Sequence, residues 1–129
     1  MLHALLLAML FQWTAIHDGQ FRLLRRNPYT TPGQLSYTLE TYTIGQAPPY
    51  VAVDYPRGSE KRDRRVTLNG RAYMVPKCAV EALQRAEGLD PRYLLWIDCL
   101  CVRWNDEHEL AMQRRWQEEI LRHATFVSA

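Results

Sequence analysis

The sequence has little of what most specialised classes require. Three cysteines in 129 residues, at positions 78, 99 and 101, are too few and too unevenly spaced for a disulfide framework. A reducing, cytoplasmic compartment is therefore expected. Lys and Arg number 16 against 14 Asp and Glu, a net charge of +2, so bulk charge gives no ground to expect a nucleic-acid partner. The apolar stretch Met1 to Ile16 falls short of the roughly 18–20 residues that span a bilayer. There is no glycine-rich phosphate loop, no HExxH, no GxSxG and no internal repeat, so the common enzyme signatures are absent. With 47% hydrophobic and 23% charged residues, the composition also excludes disordered, collagen-like and coiled-coil classes. One globular domain, or part of one, is left.

Two regions divide the chain: an apolar N-terminal segment, 1–20, and a domain, 21–129. The segment reads as a packed or peripheral helix, with a signal-like peptide or a stretch belonging to no fold as the alternatives; it has no Lys or Arg before Arg22 and no clean cleavage site. Membrane contact would fall to this segment alone. Phe21 to Leu24 reads as a short apolar run leading into a connector. Leu35 to Ile44 and Tyr50 to Tyr55 have strand chemistry. Glu60 to Arg65 reads as a solvated loop. Asn69-Gly70 sits between two β-prone halves, Val66 to Val75, which predicts a small hairpin with positive φ at both central residues.

Pro76 to Glu87 carries Ala79, Val80, Leu83 and Ala86 at helical spacing, with Gly88 placed as a C-terminal stop. Tyr93 to Val102 is apolar at almost every position and reads as a strand buried on both faces of a parallel sheet. Glu107 to His123 reads as a helix capped by Asn105 or Asp106, with Met112, Trp116 and Ile120 on one face. Thr125 to Ala129 begins another strand. This alternation predicts an α/β fold with a parallel sheet flanked by helices and a small β-hairpin. A sheet ending at its third strand leaves a raw edge, so a domain cut short at its C-terminus is expected.

Three stretches are familiar: Pro49 to Gly58 (PYVAVDYPRG), Leu68-Asn69-Gly70, and Leu94 to Glu109 (LLWIDCLCVRWNDEHE) with Gln113. They resemble the fungal heterokaryon incompatibility (HET) domain. Tyr50, Ala52, Tyr55 and Gly58 fit the family's first block; Leu95, Trp96, Ile97, Asp98, Cys101, Asp106, Glu109 and Gln113 fit its second. Asp54 and Arg57 depart from the first block, and Val102, Arg103, Trp104, Arg114 and Gln117 from the second. No third block of the Arg-x-Trp-x-x-Gln-Glu type is present. The resemblance implies an incomplete TIR-like, or flavodoxin-like, parallel sheet and a module of nonself recognition and programmed cell death. It implies work through protein partners or self-association, with no resident cofactor. The alternative it raises is NAD cleavage of the TIR type, with the catalytic region beyond residue 129 or on a partner chain. No residue of this chain is thereby assigned a catalytic role.

The residues themselves leave alternatives open. Asp98, near the carboxyl end of a central strand, is either a carboxylate holding backbone N–H groups or a ligand-facing group. Tyr55 and Gly58 either shape a loop or face a ligand. Cys99, Cys101, His108 and His123 lack zinc spacing, so no metal is expected; Cys101 would need a base such as His108 to act as a nucleophile. Arg57, Lys61, Arg62, Arg64 and Arg65 could meet phosphate or a membrane, but Asp54, Glu60 and Asp63 dilute their field.

Overall fold

The computed structural model describes residues 11–28, 33–56 and 61–128. In chain order it contains β1 (Gln20–Arg26), β2 (Ser36–Thr43), β3 (Tyr50–Val53), β4 (Arg64–Leu68), β5 (Arg71–Val75), α1 (Lys77–Ala86), β6 (Leu94–Trp96), α2 (Asp98–Cys101), α3 (Glu107–His123) and β7 (Phe126–Ser128). The strands form one seven-stranded sheet in the order β5-β4-β2-β1-β6-β3-β7.

The α/β class is as expected, but the sheet is mixed rather than parallel. β3 runs parallel to both β6 and β7, and β2 parallel to β4. β1 is antiparallel to β2 and to β6, and the β4–β5 hairpin is antiparallel. Two local readings are corrected with it. The run Phe21 to Leu24, expected only to lead into a connector, lies in β1, a central strand with Phe21, Arg22, Leu23 and Leu24 all buried. The apolar stretch Tyr93 to Val102 is not one strand. β6 ends at Trp96, and the carbonyl of Ile97 accepts the N–H of Cys101 at 2.9 Å, starting the turn of α2. Cys99 and Cys101 therefore sit on a helical turn and not in a strand.

Residues 11–16 are irregular, not helical, and the rest of the expected N-terminal helix lies outside the described residues, as does Gly58. The Phe11 N–H donates to the carbonyl of Ala72 on the β5 edge, and Phe11, Trp13 and Tyr73 meet edge to face at 5.0–5.8 Å. Aromatic packing thus fastens this segment beside β5. Among the described residues no helix is long and apolar enough to cross a membrane.

Both longer helices follow their apolar periodicity. α1 buries Ala79, Ala82, Leu83 and Ala86 and packs on β3 and β4. Gly88 does not take the left-handed conformation of a C-terminal stop; Glu87 closes the helix in ordinary helical geometry. α3 buries Met112 and Ile120, and Trp116 packs partly buried against the core. Arg114 and Gln117 stay exposed, so neither carries the desolvation cost of a buried polar side chain.

Asn69 and Gly70 turn the hairpin at φ +52° and +76°, the conformation that the Asn-Gly pair predicts. Gly70→Val is expected to destabilise the fold by about 1–2 kcal/mol in urea unfolding, because a β-branched residue is strained at positive φ. Gly88→Ala, where the new Cβ would meet the Arg85 carbonyl at an ordinary 3.5 Å, is expected to change little.

Candidate functional site

β3 and β6 are parallel neighbours, so the segments leaving their carboxyl ends emerge side by side. Open α/β sheets bind ligands at such ends. Here Tyr55, two residues past β3, donates its phenol O–H to Asp98 Oδ1 at 3.0 Å, just past β6. Trp96 lies beneath them as the last residue of β6. α3 closes the space from the side, and a cleft of about 350 Å³ results, lined by Tyr55, Trp96 and Asp98 together with Gln113, Arg114 and Gln117 of α3. Arg62 and Trp104 form its rim, with the guanidinium carbon 4.5 Å from the indole centroid, a cation–π contact. A smaller cleft of about 210 Å³ shares Tyr55, Trp96, Asp98 and Gln117 and adds Ala52, Asp54 and Val127.

Burial, followed by the nearby Cys99 and Asp98 groups, pushes the Tyr55 phenol well above its ordinary value of 10. It therefore stays protonated and serves as a donor at neutral pH. Gln113 is only 3% exposed; its amide Nε2 donates to the Gln20 carbonyl at 2.9 Å, and its Oε1 is buried with no partner among the described residues. The Nε1–H of Trp96, a residue 6% exposed, is likewise buried without an acceptor among the described residues.

The remaining family-motif positions form the frame of the cleft. The Tyr50 phenol donates to the Ile120 carbonyl, joining β3 to the last turns of α3, and burial pushes that phenol up to about 12. Asp106 caps α3 by accepting the Glu109 N–H at 3.0 Å, and that bond holds its carboxyl below the usual range. An Asp-x-x-Glu start suggests a reciprocal capping box. Glu109 instead takes a bidentate pair from Arg22, at 2.6 and 2.8 Å, and its Oε2 also accepts the Arg103 N–H. Arg22, 2% exposed, further donates to the carbonyls of Cys101 and Thr14 and stacks over Trp13. Cys101 is fully buried, and burial pushes its thiol far up, which keeps it from acting as a nucleophilic thiolate.

The structure therefore brings Tyr55, Trp96, Asp98 and Gln113 together at the cleft. It places Tyr50, Cys101, Asp106 and Glu109 around it, and Ala52 in the smaller neighbour. Sequence reasoning missed Arg22, whose partner is 87 residues away. It also read Arg62 as part of a solvated loop; the stacking of its guanidinium on the Trp104 ring is visible only in space.

Among known families, residues 34–129 match the family model described as heterokaryon incompatibility protein (HET). No curated protein and no solved structure matches the chain.

Two outcomes are expected from this geometry. Glu109→Ala strands the buried Arg22 guanidinium and is expected to cost about 3–5 kcal/mol in urea unfolding. In alkaline titration, phenols raised in the folded state stabilise it fully below the unfolded value near 10, and that stability is lost as pH rises through the folded values. Phenolate absorbance is thus expected to appear in two phases, the later one including Tyr50 and Tyr55 and coinciding with loss of structure; Tyr55→Phe should shrink the later phase.

Proposed function

Because the chain belongs to the heterokaryon incompatibility (HET) family and so has a function related to heterokaryon incompatibility, we propose that it acts in the cytoplasm as a protein-interaction module of fungal nonself recognition and programmed cell death. The observation that carries this reading is the β7 edge. β7 pairs with β3 on one side, is unpaired on the other among the described residues, and exposes Phe126 and Val127 at 41% and 52%. An apolar strand edge offers backbone groups and side chains to a second strand, whether from another copy or from a partner. The TIR-like character of the fold resides, in this reading, in the parallel unit β6-β3-β7. The strands β1, β2, β4 and β5, paired antiparallel except between β2 and β4, extend it.

A second reading is favoured by the cleft at the strand ends: NAD cleavage of the TIR type, with the catalytic region on a longer product or a partner chain. Nicotinamide release abolished by Asp98→Ala would support it.

The association reading is tested by sedimentation of the purified chain over a wide concentration range and by incompatibility scoring in fungal cells. Val127→Lys is expected to abolish association and weaken the cell-death response while leaving unfolding nearly unchanged, since the residue is exposed. A chain that remains monomeric at every concentration, captures no partner strand, and kills as well with Val127→Lys as without it would overturn the reading.

A further inference from the structure

The cleft carries a demand that neither reading uses. A buried polar group without a partner is costly, so native folds rarely keep several together without a role. Three residues of the cleft's lining carry such an atom: the Trp96 Nε1–H, the Gln113 Oε1 and Arg62 Nη1 are buried without a partner among the described residues. Trp96 and Gln113 are each more than nine-tenths buried. Trp96 is the last residue of β6, and Gln113 is held by the bond of its Nε2 to the Gln20 carbonyl. Arg62 is held against the Trp104 ring.

The set amounts to two donors, one of them cationic, and one acceptor. Among the lining residues the charged groups are Arg62, Arg114 and Asp98, so guanidinium exceeds carboxylate. Asp98 also already accepts the Tyr55 hydroxyl. An anionic group satisfies the two donors and gains from the excess positive charge. The Gln113 oxygen requires a donor on the same molecule. A volume of about 350 Å³ lies at the small end of ordinary ligand pockets, about 300–1,000 Å³.

We propose that this cleft binds a small organic anion, a phosphomonoester or a carboxylate, that also carries an O–H or N–H donor, with Trp96, Gln113 and Arg62 as its recognition residues. The inference is independent of both association through β7 and turnover, because it concerns occupancy alone.

The test uses the full chain and three probes of similar size: ribose 5-phosphate, gluconate and ribose, each titrated by calorimetry with tryptophan fluorescence as a second signal. Saturable binding of ribose 5-phosphate, of gluconate or of both is expected, with ribose silent; the stronger of the two identifies the anion. Arg62→Ala and Trp96→Phe are each expected to weaken binding by about tenfold or more, whereas Arg92→Ala, at an exposed pair with Asp90 elsewhere, leaves it unchanged. Should Trp96→Phe not fold, Arg62→Ala decides alone, since that side chain is only partly buried. Failure of both anions to bind, equal binding of ribose, or affinity unmoved by Arg62→Ala overturns the proposal. Binding that proceeds while Val127→Lys still abolishes association leaves the association reading intact, so the two stand or fall separately.

Discussion

The bidentate pair between Arg22 and Glu109 is the contact on which the arrangement of the remaining elements depends. The sheet consists of an antiparallel-rich half, β5-β4-β2-β1, and a parallel half, β6-β3-β7. Their seam is thin: β1 and β6 share the single register pair Leu24↔Leu95, against seven between β1 and β2. Side chains of β1 reinforce it. Arg22 reaches Glu109 on α3 and the Cys101 carbonyl, and Arg26 donates to the carbonyls of Leu89 and Asp90 in the segment leading to β6. The surface pairs, such as Arg25–Glu40 or Arg92–Asp90, are screened by water and contribute little by comparison. Removing one buried partner strands a charge in a place with no solvent to replace it.

Much of this fold is legible in the sequence wherever one period rules. The helices at 77–86 and 107–123 follow from apolar spacing, and the hairpin from Asn69-Gly70. The stretch from Tyr93 to Val102 has no period to read, because apolar residues at every position suit a buried strand and a buried helical turn alike. Only the switch at Ile97, where the backbone begins helical hydrogen bonding, separates the two. β1 escaped for a different reason. Four buried residues in a row, one of them an arginine, look like a fragment of loop until the partner of the arginine is known. Mixed topology is likewise decided by which strand fills the seam, a long-range matter that alternation along the chain does not encode.

The candidate site was partly legible for the same reason that families have motifs. Tyr55, Trp96, Asp98 and Gln113 are four of the residues that carry the resemblance, and three of them meet because Tyr55 and Asp98 follow the ends of adjacent parallel strands, one of which closes on Trp96. Spacing alone could not separate them from Tyr50, Asp106 and Glu109, which hold the frame. A tyrosine donating to a helix carbonyl and a tyrosine donating to a carboxylate in a cleft are identical in sequence. Their difference is the exposure of the acceptor, a property of the assembled layers.

α3 shows how a cleft and a core can be altered independently. Met112, Trp116 and Ile120 recur at four-residue intervals and face the core, while Glu109, Gln113 and Gln117 form a second row at the same interval. In that second row Glu109 is locked to β1, Gln113 is locked through one amide atom, and Gln117 is exposed at the cleft. Constraint thus weakens along the row from anchor to opening. Arg114 and Gln117, which depart from the family pattern, stand at the open end, where a polar side chain keeps its water and no cavity or strain follows. The polar side chains at 114 and 117 therefore line the cleft in contact with solvent and leave the packing of the first row undisturbed.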